Sequence, residues 1–321
     1  MSDKIIAVTG ATGAQGGGLV RAILADPDGG FTARAITRKP DSDAAAALRE
    51  QGAEVVRADL DDEASLHRAF AGAYGAFCVT NFWEHFSPER EQTQAGNLAR
   101  AARSVGATHV IWSTLEDVRN YVPVGNERIP TLPGGYKVPH MDGKAEANEL
   151  FRQGGVPTTY LYTSFYWDNM ISFGMGPARD ESGRLAITLP LADAKLPSIA
   201  ADDIGPCAYG IFRDGRRWIG RSVGVAGAHL TGEDLAAGLT AALGEQVTYN
   251  RVTPAGYRAF GFPGADELAN MFQFNVEFAE VYGAARELET SRSLHPDLTS
   301  YESWLERNVE RIPVPAAVKV G

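Results

Sequence analysis

The chain has 321 residues, 44% of them hydrophobic and 22% charged, with 35 Gly and 17 Pro, which is the composition of a folded protein long enough for two domains. A formal net charge of −10 and no dense Lys/Arg run argue against a nucleic-acid binder, and the six histidines show no metal-ligand spacing. Two cysteines do not suggest a disulfide scaffold, and neither a signal-peptide pattern nor an apolar run of about 20 residues is visible, so a soluble cytoplasmic protein is expected.

In chain order, residues 5–8 read as a buried strand and 16–24 as a helix. Strands follow at 32–37, 54–57, 75–79 and 109–112, separated by helices at 43–51, 62–71 and 89–104. Cys78 falls in one of these apolar runs. Parallel neighbours need long crossovers, so strands alternating with helices predict an α/β fold: a doubly wound parallel sheet of the Rossmann type. Residues 118–139 break the rhythm with four Pro and three Gly, and a loop of that length predicts a mobile flap over the site. A helix at 141–152 and a strand at 158–162 resume the pattern. Beyond them, strands at 185–188, 222–226 and 246–252 and helices at 203–212, 232–243 and 264–282 predict a smaller α/β C-terminal cap. Cys207 is placed at the start of one of these helices. The division is a nucleotide-binding domain at 1–160 and, at 161–321, a mixed region that completes the sheet and forms the cap.

The strongest motif is Thr9-Gly10-Ala11-Thr12-Gly13-Ala14-Gln15-Gly16, between the first strand and the first helix. Gly10 allows a tight turn, Gly13 a close approach of backbone to a pyrophosphate, and Gly16 close packing of helix on sheet. The helix N–H groups then face the phosphate charge. At the end of the second strand, where an acid would bind the ribose hydroxyls of NAD, the chain has Thr37-Arg38-Lys39. The planar fork of Arg38 fits a 2′-phosphate, so NADP is the expected cofactor. Asp59 and Leu60 are placed beside the adenine ring, and Thr80, Asn81 and Phe82 on the nicotinamide side.

These residues carry a resemblance to a known family. The spacing Gly10, Gly13, Gly16 is that of atypical and extended short-chain dehydrogenases. With Thr37-Arg38, the segments 52–56 and 79–84, Asp142-Gly143-Lys144, and the segments 261–265 and 268–272, the chain resembles the NmrA-like family of atypical short-chain dehydrogenases, particularly its HSCARG-like NADPH-sensor branch. The resemblance implies NADP(H) binding, with Lys144 near the nicotinamide ribose and Tyr166, Trp167, Asp168 and Asn169 along the nicotinamide side. It also implies either a reductase of small compounds or a regulator that binds nucleotide without turning it over. The Tyr-x-x-x-Lys motif of ordinary short-chain dehydrogenases is replaced here by His140-x-x-x-Lys144, which departs from ordinary alcohol dehydrogenase chemistry.

Residues four apart on a helix face the same way, so His140 and Lys144 are candidate catalytic residues. A histidine can donate a proton near neutral pH. Tyr166 joins them as a third candidate, and Ser113 and Thr114 end the fifth strand where a substrate-facing hydroxyl could sit. Tyr162, Phe165, Tyr166, Trp167, Phe272 and Phe274 could wall an apolar pocket. Glu89 and Glu91 read as a solvated helix face. The resulting expectation is an NADP(H)-dependent oxidoreductase acting on a small carbonyl, imine or conjugated substrate; the alternative is a redox sensor with a protein partner. Neither nucleic acid nor membrane is an expected partner, and an oligomer is compatible with both readings.

Overall fold

The computed structural model describes residues 4–180 and 182–315. Its first half alternates β1 (Lys4–Val8), α1 (Ala14–Leu24), β2 (Phe31–Thr37), α2 (Asp43–Glu50), β3 (Glu54–Arg57), α3 (Glu63–Phe70), β4 (Gly75–Cys78), α4 (Pro88–Ser104), β5 (His109–Thr114), α5 (Pro139–Gln153) and β6 (Thr158–Tyr162). β4 and β5 are buried at every position, as strands covered by helices on both faces must be. Ser42, Asp62 and Ser87 cap α2, α3 and α4, each side chain accepting a backbone N–H from the helix's first turn.

The second half adds β7 (Phe165–Tyr166), α6 (Asn169–Ser172), β8 (Ala178–Arg179), β9 (Leu185–Leu189), β10 (Leu196–Ile199), α7 (Ala201–Asp214), β11 (Ser222–Gly224), β12 (Ala228–Leu230), α8 (Gly232–Leu243) and β13 (Val247–Arg251). It ends in the helices α9 (Pro254–Arg258), α10 (Ala265–Glu277), α11 (Ala279–Ala284), α12 (Leu288–Leu294) and α13 (Tyr301–Asn308). The main sheet has seven parallel strands in the order β3-β2-β1-β4-β5-β6-β11. Its last strand therefore comes from the second half, and α7 packs on α1 through Ile204, Cys207, Ala208 and Ile211 against Leu19, Val20 and Ile23. Two three-stranded sheets, β12-β10-β7 and β13-β9-β8, build the cap around a second core that includes Trp167, Ile187, Leu239, Phe272 and Trp304.

Several sequence expectations change in detail. α1 begins two residues earlier than expected, at Ala14, with Gly13 as its N-cap. Cys207 lies in the body of α7, just after an internal Pro206, and is buried, which pushes its thiol pKa up. The helix expected over 264–282 is two helices, because Phe278 leaves helical geometry at φ −117° and ψ 29°. β10 and β12 were not anticipated; both are short, and their burial depends on partners distant in sequence.

The segment 118–138 is a pinned strap, not a free flap. Val118, Val122, Ile129 and Val138 form a small core with Met141, Phe274 and Tyr282. Asp142 accepts from the backbone N–H of Val118 (2.8 Å), Lys137 (2.7 Å) and Val138 (3.0 Å). The fully buried Lys137 donates to the carbonyls of Asn126 and Ile129 and to the Thr131 hydroxyl. From α10, Asn270 Nδ2 donates to the carbonyls of Pro130 and Lys137. A loop whose backbone groups are satisfied this way gains little by opening. No helix among the described residues is long and apolar enough to cross a membrane.

Candidate nucleotide and substrate site

The glycine turn closes as its residue types require. Gly10 adopts φ +61°, and the Gly13 N–H donates to the Gly10 carbonyl at 2.9 Å. A Cβ on Gly16 would lie 2.5 Å from that same carbonyl oxygen, so only glycine lets α1 start so close to the turn. Among the described residues no side chain caps α1, and its first turn carries no acid, which leaves the positive end of the helix dipole facing outward. Thr9 ties the turn to the neighbouring strand: its Oγ1 donates to the Phe77 carbonyl and accepts from the Val79 N–H. The turn therefore sits between β1 and β4, where the strand order reverses and a crevice opens at the carboxyl ends of the strands.

Arg38 follows β2, about half exposed, and its Nη2 donates to Glu84 Oε1 at 2.9 Å. Asn81 Nδ2 donates to the same oxygen at 3.3 Å. Glu84 belongs to a short 3-10 turn, Phe82–Glu84, so this pair links the end of β2 to the residues after β4. Asp59 and Leu60 follow β3. The Asp59 carboxylate accepts from the Asp61 N–H, and the Leu60 carbonyl accepts from Asn97.

A cavity of about 180 Å³ lies beside the turn. It brings together Gln15, Thr80, Asn81, Phe82, His140, Lys144, Tyr166 and Asn169 from the sequence-predicted set. Gly10, Thr12, Gly13, Ala14, Gly16, Arg38, Asp59 and Leu60 lie outside it. Of the expected aromatic wall, Phe165 and Tyr166 are present, whereas Tyr162 packs against the core of the main sheet, Trp167 and Phe272 are buried in the cap core and Phe274 in the core under the strap. Trp83, Phe173, Leu268, Met271 and Tyr282 supply the apolar lining instead.

Pro139 at the first position of α5 places His140 and Lys144 inside one helix. Lys144 Nζ donates to Thr80 Oγ1 (2.7 Å), the Thr80 carbonyl (3.1 Å) and Glu91 Oε2 (3.2 Å). Glu91 is fully buried, not part of a solvated face, and also accepts from the Thr80 hydroxyl. The acid is in register with the inward stripe Gln94, Ala95 and Leu98 of α4, a signal available in the sequence. His140 is buried with its ring 5.0 Å from that of Trp83. Its Nδ1 and its backbone N–H both meet Glu267 Oε1, at 2.7 and 2.6 Å. Sequence reasoning missed Glu267, although it shares a buried stripe with Asn270 and Phe274.

The hydroxyls of Ser113, Tyr166 and Thr114 are committed within the protein. Ser113 donates to Gln15 Oε1 (2.8 Å), Gln15 Nε2 donates to the Tyr166 hydroxyl (2.7 Å), and that hydroxyl donates to Thr163 (3.2 Å). Burial raises the Tyr166 pKa and keeps its hydroxyl neutral within this chain. Thr114 donates to the Lys144 carbonyl and pins α5 to β5.

A crevice at the reversal point of a parallel sheet is where doubly wound proteins take dinucleotides, and the chain is of that structural class. Within it, the chain belongs to the NmrA-like family, whose model matches residues 2–305. The NmrA-like family domain-containing oxidoreductase FrzB of a Cladobotryum species is 31% identical over 294 residues, covering 84% of this chain and 83% of that one. Among solved structures, NmrA, a negative transcriptional regulator in complex with NADP, superposes with a TM-score of 0.75 at 24% identity, over 97% of both chains. The Citrobacter sp. triphenylmethane reductase complexed with NADP(H) gives 0.71 at 21% identity, over 94% of this chain and 99% of that one.

Proposed function

We propose that the protein is an NADP(H)-dependent oxidoreductase that reduces a small carbonyl, imine or conjugated substrate in the cavity beside the glycine turn. The observation that carries this reading is His140 on the cavity wall, backed by the buried Glu267. A protein that only senses nucleotide has no use for an oriented acid–base group facing an apolar chamber. The names of relatives such as FrzB, an oxidoreductase, support the same reading.

The residues fit the cofactor: the uncapped start of α1 suits a pyrophosphate, and Arg38 suits a 2′-phosphate. When bound, NADPH supplies the hydride. Lys144, fixed by Thr80 and Glu91, holds the nicotinamide ribose, while the Ser113–Gln15–Tyr166 chain sets the neighbouring wall. As hydride reaches the substrate carbon, negative charge gathers on its oxygen or nitrogen. With Nδ1 held by Glu267, the His140 ring is placed to deliver from Nε2 the proton that neutralises this charge. The neutral ring then recovers its proton from solvent, and Glu267 keeps it oriented throughout.

NADPH oxidation across aromatic aldehydes, quinones, enones and cyclic imines tests the proposal. Turnover is expected, and His140→Ala should lower kcat/KM by about a hundredfold or more while leaving NADPH affinity unchanged. The second reading, an NmrA-type regulator, draws on the likeness to NmrA over nearly the whole of both chains. Tight NADPH binding without turnover on the whole panel would favour it.

A further inference from the structure

Eight buried side-chain polar atoms lack a hydrogen-bond partner among the described residues, and two of them, Ser164 Oγ and Asn275 Oδ1, belong to residues that line the cavity. Both residues are more than nine-tenths buried, at 7% and 4% exposure. Asn275 lies on α10 in register with Leu268 and Met271, which supply apolar lining on the same face. An amide in that stripe is costly where a leucine would fit, because its Oδ1 loses water without gaining a partner. Asn270, five residues earlier on the same helix, shows the contrast. Its Nδ2 donates to two strap carbonyls, and its Oδ1 accepts from Arg258.

Both groups are held in place. Arg286, fully buried and paired through two nitrogens with Glu116, donates from Nε to the Thr163 carbonyl, which fixes the backbone entering Ser164. Asn270 fixes α10 to the strap. An unpaired hydroxyl and amide on rigid walls of an apolar chamber form a preorganised recognition element.

We propose that Ser164 and Asn275 are the polar recognition pair of the substrate subsite. The substrate is then a planar, mostly apolar compound bearing a hydroxyl or N–H group on the edge that faces α10. This inference rests on the reading of the cavity as a substrate site. Asn275 accepts from the substituent, and Ser164 donates to it or accepts from it. The flat apolar body lies among Trp83, Phe165, Phe173, Leu268 and Met271.

A matched pair of probes tests this: a hydroxylated naphthaldehyde and the same aldehyde without its hydroxyl. Binding to the NADP⁺-loaded protein is followed by tryptophan fluorescence, and kcat/KM is measured with NADPH, for the parent, Asn275→Leu and Ser164→Ala. The parent should prefer the hydroxylated aldehyde by about tenfold, the worth of one well-made buried hydrogen bond. Asn275→Leu should cut this preference to about twofold or less, with NADPH affinity unchanged as the check on folding, and Ser164→Ala should reduce it in part. Equal handling of both aldehydes by the parent, failure to bind either, or a preference that survives both substitutions would overturn the inference. A preference in binding without turnover keeps the recognition pair and removes the reductase reading. Turnover without a preference does the reverse.

Discussion

Arg38 and Glu84 are about half exposed and meet at 2.9 Å, an arrangement that holds the guanidinium near the crevice without burying its charge. A 2′-phosphate carries more charge than the carboxylate and can accept from the fork at two points, so NADP(H) should displace Glu84 where NAD(H) has nothing to offer. Arg38→Ala is therefore expected to weaken NADPH binding by roughly ten- to a hundredfold and leave NADH binding nearly unchanged. Glu84→Gln should strengthen NADPH binding, but only by about fivefold or less, because an exposed pair contributes under about 1 kcal/mol. Titration of both nucleotides decides the matter, and equal affinity of the parent for the two would remove Arg38 from the selectivity argument. The place of Arg38 after the second strand was legible in the sequence. Glu91, Glu267 and Asn275 were less legible, since each is a polar residue lying on a buried helix stripe. In each case the register with apolar neighbours was present in the sequence, but the partners of Glu91 and Glu267 came from distant segments and Asn275 Oδ1 has none among the described residues.

Helix α5 and the strap before it act as one element. The first N–H groups of a helix need partners, and here Glu267 takes that of His140 while Asp142 takes those of Val118, Lys137 and Val138 just upstream. Asp142→Asn must set an amide NH₂ against a backbone N–H, since Oδ1 and Oδ2 both accept. A loss of about 1–3 kcal/mol of stability is expected from the group left unpaired. Amide exchange in 118–138 should accelerate in this variant, whereas the parent should keep these amides protected with or without NADPH. Fast exchange in the nucleotide-free parent would restore the mobile flap that the Pro and Gly content suggested. Composition misled here because the strap is ordered by single side chains, Asp142, Lys137 and Asn270, whose targets are backbone atoms and leave no periodic signature.

At the scale of the molecule, the parallel sheet was readable because strands covered on both faces read as short continuous apolar runs and amphipathic crossovers impose a period of 3.6 residues. The cap was less so, since strands such as Leu196–Ile199 and Ala228–Leu230 are only three or four residues long and pair with distant partners. The same packing buries two groups with opposite effects on stability. His109 begins β5 with its ring against Phe212 and one ring nitrogen bonded to Thr159, and burial lowers its pKa from 6.5 to about 4. The folded state then binds its proton less readily than the unfolded state, so this contribution rises with pH between about 4 and 6.5 and is lost as pH falls through that window. Burial outweighs the three backbone N–H bonds of Asp142 and raises its pKa from 3.8 to about 6. Here the folded state binds the proton more readily, so the contribution falls as pH rises from about 4 to 6. The two slopes oppose each other over nearly the same range, and His109→Gln removes only the first. Unfolding by urea at a series of pH values should show the variant gaining on the parent as the pH falls, by no more than about 3 kcal/mol across the window. Asp142→Asn should change the slope in the opposite sense. Parallel profiles for the parent and His109→Gln would mean that the folded histidine titrates at its ordinary value, and the buried ring would then have to reach solvent.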